Sequence, residues 1–236
     1  MTPLHPKAVV LLSGGLDSTV TAALAQQDGH RIHCVTVSYG QRHRVEIERA
    51  QAVAKALGAA GHVVVTVDLR AIGGSALTAD VEVPKDRAQE ERAGKIPITY
   101  VPARNTIFLS FALAWAEVLG ARDIFIGVNA VDYSGYPDCR PEFIDSFVTM
   151  LSFGFPNGPK IKSPLLKMTK PEIAQEAYRL GITKGDTWSC YRPKVSQHGI
   201  EPCNECDACV LHNYAWTQVK KAKENPTHKF PNLSFR

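Results

Sequence analysis

Strand-like and helix-like patterns alternate along this chain, and that alternation narrows its possible folds more than any other feature. Strands that alternate with helices imply right-handed βαβ crossovers and a parallel sheet. The expected architecture is therefore α/β, a doubly wound, mostly parallel sheet with flanking helices. Residues 8–12 read as the first strand, and the helix behind them runs through Leu16, Val20 and Leu24 to about Asp28, where Gly29 is a natural stop. Residues 32–37 read as the second strand. Ala50, Val53, Ala54 and Leu57 then fall at i, i+3, i+4 and i+7, the buried stripe of a helix that ends at Gly58. Residues 63–67 and 123–127 are the third and fourth strands. Between them, residues 106–119 are apolar almost all round, as in a deeply buried helix, with Asn105 as the expected N-cap and Gly120 as the stop. Thr169-Lys170-Pro171-Glu172 has the form of a capping box with an early proline, and the helix behind it buries Ile173, Ala177 and Leu180 before Gly181. The charged, Gly- and Ala-rich stretch 70–95 breaks the alternation. A loop that long inside a domain is usually functional or mobile.

The first junction carries chemistry. The apolar run Ala8-Val9-Val10-Leu11-Leu12 ends in Ser13-Gly14-Gly15, and Asp17 and Ser18 open the helix. A strand that turns through glycine into a helix N-terminus makes an anion site from backbone N–H groups and the helix dipole. The glycines permit positive φ and close approach of an oxyanion. Ser13 and Ser18 add hydroxyl donors. Asp17 repels anions, so its presence points to Mg²⁺ held between carboxylate and phosphate. No Gly-Lys-Ser/Thr follows and no Gly-x-Gly-x-x-Gly is present, which excludes a Walker loop and a dinucleotide fingerprint. Ser-Gly-Gly-x-Asp-Ser resembles the pyrophosphate loop of the ATP pyrophosphatase superfamily, whose members cleave ATP between its α and β phosphates and adenylate a substrate oxygen. An ordinary strand–turn–helix junction with a capping serine is the plainer alternative.

A chain of 236 residues can bury one sizeable α/β core and a small appendage. Its net charge of +4 is too mild to argue for nucleic acid, and no apolar run approaches the roughly 20 residues of a membrane span. The first residues have no signal-peptide organisation, so a cytoplasmic location is expected, where thiols stay reduced. This matters for Cys190, Cys203, Cys206 and Cys209, spaced C-x12-C-x2-C-x2-C. Four thiolates at such spacing suit a closed, structural Zn²⁺ site, one ion per chain. An iron–sulfur cluster or two disulfides are the competing readings, although the Cys-Pro that closes a ferredoxin spacing is missing. His198 or His212 could replace one ligand. Cys34 reads as a buried small hydrophobe, and Cys139 lies in a polar loop with no obvious base beside it. The expected division is an α/β domain over residues 1–185 and a helical, zinc-binding module over 186–236.

Two loops leave the strand ends where open α/β sheets bind ligands. The first, 100–106, presents Arg104 for a bidentate clamp on phosphate or carboxylate, unless that side chain merely meets solvent. The second, 127–140, is dense in hydrogen-bonding and aromatic side chains, as a flat heterocycle would require.

Taken together, residues 13–19, 38–43, 101–110, 128–140 and 163–165, with Lys170, Glu172, 187–191 and the three closing cysteines, resemble the 7-cyano-7-deazaguanine synthase family of the pyrophosphate-loop superfamily. The likeness spans nearly the whole chain, although the 191–202 connection looks a few residues longer than usual. It implies an adenine nucleotide α-hydrolase-like fold and ATP-dependent, nitrile-forming C–N ligation. In that reaction 7-carboxy-7-deazaguanine is adenylated, captured by ammonia as the amide, then adenylated again and dehydrated to 7-cyano-7-deazaguanine, a queuosine and archaeosine precursor. The resemblance assigns ATP with Mg²⁺ to Leu12, Ser13, Gly14, Gly15, Leu16, Asp17, Ser18, Thr19, Val20, Thr21 and Ala22. Asp17, Ser18, Arg104 and Lys170 become catalytic, and Asn105, Asp132, Tyr133, Ser134, Tyr136, Asp138 and Arg140 become substrate-binding. It also implies a homodimer with no nucleic-acid or membrane partner. No glutaminase module is recognisable, so ammonia would come from solution. The rival readings are a tRNA sulfurtransferase of the same superfamily, which would want a strongly basic face, and a zinc-dependent binding module, which leaves Ser13–Ser18 unexplained.

Overall fold

A computed structural model of the chain describes residues 5–40, 45–79, 96–130, 132–155, 157–197 and 199–224. Strands β1 (Lys7–Leu11), β2 (Arg31–Ser38), β3 (Gly61–Thr66), β4 (Asp123–Phe125) and β5 (Lys160–Lys162) form a sheet of order β3-β2-β1-β4-β5. All four pairings are parallel. Its centre is β1, where Ala8, Val9 and Val10 are buried on both faces, which explains the unbroken apolar run. Alternate residues serve opposite layers. Val9 and Leu11 pack with Leu109 and Ala112 of α3 (Arg104–Leu119) and with Phe147 of α5 (Pro141–Gly154). Ala8 and Val10 pack with Ala22 of α1 (Leu16–Gln27) and Val53 of α2 (Val45–Ala56). The strand order diverges on either side of β1, so a crevice opens at the C-terminal ends of β1 and β4.

Several expected boundaries shift. The first strand is one residue earlier than 8–12, the third begins at Gly61, and the fourth stops at Phe125. Helix α3 is not apolar on all sides of its surroundings: Leu109, Ala112 and Ala116 are buried, whereas Val118 is 83% exposed. Asn105 is not its N-cap. That position belongs to Ala103, held at φ 54 and ψ 21, and the Asn105 N–H donates to Asp138 Oδ2 at 2.9 Å. A carboxylate brought from a distant loop thus satisfies the helix end. The Thr169–Glu172 capping box stands as expected before α6 (Lys170–Arg179), with the Thr169 N–H donating to Glu172 Oε2 at 2.7 Å.

The elements not read from the sequence include the helix α5, the strand β5 and a hairpin of β6 (Lys194–Ser196) and β7 (Gly199–Glu201). The one-turn helix α4 (Asp132–Gly135) lies in the loop after β4, and the long α7 (Asp207–Glu224) follows the hairpin. The expected boundary at 185/186 separates segments that share cores. Ala215 and Val219 of α7 pack with Leu16, Val20 and Ile173, and the four tail cysteines pack with Val37, Leu69 and Val101. Of the stretch 70–95, residues 80–95 lie outside the described part. Its beginning is ordered, with Ser75, Ala76, Leu77 and Thr78 buried. Among the described residues no helix is long and apolar enough to cross a membrane.

Gly14 ties the first junction to α2. At φ +80, a Cβ there would lie 2.6 Å from the Ala50 backbone nitrogen and 2.7 Å from the Glu46 carbonyl oxygen. Gly14→Ala is expected to destabilise the protein by about 2–4 kcal/mol, combining left-handed strain with overpacking. Urea unfolding with an unchanged midpoint would refute this.

Candidate active site

A cavity of about 320 Å³ occupies the crevice. Its floor is the turn after β1. Gly15 has an extended backbone at φ −77 and ψ 166, which starts α1 without a side-chain cap. Ser18 Oγ closes the turn back on itself, accepting from the Ser13 N–H at 3.1 Å and pairing with Ser13 Oγ at 3.0 Å. Leu12, Ser13, Gly15, Leu16, Asp17 and Ser18 line the cavity. Thr19 turns its hydroxyl back to the Gly15 carbonyl at 2.8 Å, and Val20, Thr21 and Ala22 are fully buried below. The opposite wall is Gly127, where a Cβ would sit 3.1 Å from the Asp17 carbonyl oxygen. The first turn of α1 and the end of β4 therefore meet without room for a side chain.

Lys170 reaches this floor from the start of α6. Its Nζ donates to Asp17 Oδ2 at 2.6 Å and lies 3.9 Å from Asp132 Oδ1. Asp17 Oδ1 is buried with no hydrogen-bond partner. Burial pushes the Asp132 carboxyl up to about 6, against the pull of Lys170, and the Asp17 charge adds to the rise. Asn129 orients Asp132, accepting from its N–H at 3.2 Å. Two carboxylates around one ammonium, beside backbone N–H groups, can gather a polyphosphate and a cation.

Aromatic side chains line the cavity as well, among them Tyr39, Phe108, Tyr136, Trp188 and Tyr191. Arg104, the first residue of α3, lines it and is not the solvent-facing side chain that its loop position allowed. Burial works against its charge, and the surrounding Tyr39, Tyr191, Cys139 and Tyr136 more than restore it. Tyr136 and Asn105 line the same cavity, with Asn105 Nδ2 donating to the Asp138 carbonyl at 2.9 Å and to Cys139 Sγ at 3.2 Å. Asp138 is spent on capping α3, and Arg140 is exposed outside the lining. The side chains of Tyr133 and Ser134 lie outside the described part. Sequence reading passed over Glu46, placed Tyr39, Ser189 and Tyr191 in family-like segments without a site role, and offered His212 only as a metal ligand; all five line the cavity. The segment before Cys190 is held to the floor, with the Trp188 N–H donating to the Gly14 carbonyl at 2.8 Å.

The sulfurs of Cys190, Cys203, Cys206 and Cys209 lie within 4.8 Å of one another, and all four residues are buried. Cys203 and Cys209 sulfurs are 3.9 Å apart, close to the roughly 3.8 Å edge of a tetrahedron with 2.3 Å metal–sulfur bonds. Backbone N–H groups of Arg192 and Cys203 donate to Cys190 Sγ at 3.3 and 3.2 Å, and that of Cys206 donates to Cys203 Sγ at 3.3 Å. Asn204 makes the tight turn between Cys203 and Cys206 at φ 62. Such donors favour thiolates, so the cluster can hold a metal such as zinc. His212 instead pairs with Ser189 Oγ at 3.2 Å, and His198 lies outside the described residues. Cys34 is fully buried, and the Cys139 thiol is pushed up by burial.

A family model described as "Queuosine biosynthesis protein QueC" matches residues 7–220. The 7-cyano-7-deazaguanine synthase of Kineococcus radiotolerans is 56% identical over 209 residues, covering 86% of this chain and 90% of its own length. That of Desulfatibacillum aliphaticivorans is 53% identical over 219 residues, covering 90% and 93%. Among solved structures, NMN synthetase from Francisella tularensis aligns at a TM-score of 0.48 and 14% identity, over 98% of this chain and 91% of that one.

Proposed function

The chain belongs to the QueC family of queuosine biosynthesis proteins, and from that footing we propose that it converts 7-carboxy-7-deazaguanine, ammonia and ATP to 7-cyano-7-deazaguanine. The observation that carries this reading is the shared cavity, whose lining joins the Ser13–Ser18 turn and the Lys170–Asp17 pair to Arg104 and a set of aromatic side chains. ATP lies with its phosphates on the turn, where backbone N–H groups, Ser13 and Ser18 meet them. The substrate carboxylate oxygen attacks the α-phosphorus, and pyrophosphate leaves. Ammonia adds to the acyl carbon, and AMP and a proton depart, which leaves the amide. The amide oxygen attacks a second ATP in the same way, and loss of AMP with both nitrogen-bound protons gives the nitrile.

Lys170 neutralises charge that grows on the leaving pyrophosphate, and Arg104 orients the acid. Asp17 Oδ1, buried and without a partner, fits Mg²⁺. When bound, that ion supplies further charge neutralisation. Cys190, Cys203, Cys206 and Cys209 hold Zn²⁺ in a closed, structural site. Asn105, Asp132, Tyr133, Ser134, Tyr136, Asp138 and Arg140 are the residues expected around the substrate; of these Asn105, Asp132 and Tyr136 line the cavity, whereas Asp138 acts through its hold on Asn105 and Arg140 is exposed outside the lining. Free ammonia as donor, a homodimeric assembly and a cytoplasmic setting rest on family likeness and the sequence alone.

Counting AMP against nitrile tests this reading. The ratio is expected near two from the acid and near one from the amide, with pyrophosphate formed in step. Free ammonium suffices and glutamine alone fails. ADP as product, or strict dependence on glutamine, would mean a different reaction.

A further inference from the structure

We propose that Glu46 reads the donor edge of the heterocycle, its carboxylate accepting from ring N1–H and the exocyclic 2-amino group while Arg104 donates to the neighbouring carbonyl oxygen. The inference rests on the substrate reading above and deepens it. The pyrimidine ring of a deazaguanine presents two adjacent donors and one acceptor on a single edge. Its complement is a two-oxygen acceptor beside a fixed donor, which a carboxylate next to a guanidinium supplies.

Three of the other carboxylates near the cavity have separate work. Asp17 takes the Lys170 ammonium at 2.6 Å. Asp132 is held by Asn129 and faces Lys170. Asp138 caps α3. Asp207 opens α7 directly beside Cys206. Glu46 lines the cavity on the first turn of α2, and the charge that offsets its burial is that of Arg104. Glu48 shares that turn and is exposed, which is where an acid serving only the helix dipole belongs. Burial instead pushes the Glu46 carboxyl up to about 7, a cost that a polar ligand would recover. Tyr39 and Tyr136 stand around the same guanidinium and offer flat faces for the bicycle. In the bicycle the 7-carboxylate neighbours the 6-carbonyl oxygen and lies far from the 2-amino group, so Arg104 on that carbonyl stands nearer the reacting end than Glu46 does.

The test is equilibrium calorimetry with 7-carboxy-7-deazaguanine and its analogue lacking the 2-amino group. The native protein is expected to prefer the amino compound by about 30–100-fold, the loss that follows from leaving a buried acceptor unpaired. Glu46→Gln should bind the two within about threefold of each other, because its amide nitrogen replaces an acceptor by a donor. Binding of a non-hydrolysable ATP analogue to the variant reports an intact cavity. Glu46→Met, which removes a costly, partly buried charge, repeats the comparison should the amide disturb folding. A native protein that binds the acid without discrimination, or variants that keep the preference, would overturn the role of Glu46 alone. A native protein that binds neither compound would overturn the substrate reading with it.

Discussion

Replacing Asp17 by Asn is expected to leave the protein folded and to lower kcat by about 10²–10³-fold, the usual cost of removing one preorganised charge from a water-poor site. The substitution keeps the side chain's shape, so the tight approach of Gly127 to the Asp17 backbone is undisturbed. Asn can still accept from Lys170 where Asp17 Oδ2 does so at 2.6 Å. Lys170 also retains Asp132 at 3.9 Å as an anionic neighbour. What disappears is the anionic character of Oδ1, the buried atom without a protein partner. The half-saturating Mg²⁺ concentration should therefore rise about tenfold or more in Asp17→Asn, in line with the loss of one hard oxygen ligand. Lys170→Met should lower kcat by a similar factor, about 10²-fold, while moving the Mg²⁺ requirement little. Steady-state rates titrated with Mg²⁺ separate the two. Near-native turnover in Asp17→Asn would remove the carboxylate from the mechanism.

The parts of this site that could be read from sequence are those in which chemistry and local geometry coincide. The Ser13–Ser18 turn is one, because a strand, two glycines and a first-turn serine are contiguous. The Thr169–Glu172 capping box is another, since both partners lie within one turn of α6. Cysteine spacing reported the cluster because two Cys-x-x-Cys steps force three sulfurs together. Asn105 failed as a cap because the residue that satisfies its N–H, Asp138, lies 33 positions away. The left-handed Ala103 that sets the start of α3 leaves no mark on composition. Glu46 escaped notice because an acid in a helix's first turn is ordinary, and only the packing of α2 against Gly14 turns that helix end toward the cavity. The three-residue strand β5, Lys160-Ile161-Lys162, is too short and too charged to announce itself. It joins the sheet through pairing with β4 and not through its own propensity.

Loss of any one of Cys190, Cys203, Cys206 or Cys209 is expected to reach the nucleotide site as well as the tail. The cysteines share a core with Val37, Tyr39, Leu69 and Val101 at the strand ends. Cys190 follows a segment whose Trp188 N–H donates to the Gly14 carbonyl at 2.8 Å, and whose Ser189 lines the cavity. Cys209 lies in the first turns of α7, which goes on to bury Ala215 and Val219 against Leu16 and Val20 of α1. A closed metal site contributes its binding energy to folding, so its loss removes a tie between the tail and the floor of the cavity. Cys203→Ser should bind less than about a tenth of the native metal. It should also melt about 10 °C or more lower, since each kcal/mol moves Tm by about 2–4 °C in a chain of this size. Binding of a non-hydrolysable ATP analogue should weaken in the same variant by about tenfold, because the wall formed by Trp188 and Ser189, tied to Gly14, is no longer anchored. Elemental analysis of the native protein should give one zinc per chain. Iron in its place would replace the structural reading with a cluster. A metal-free native protein of unchanged Tm would show that the four thiols hold the tail by packing alone.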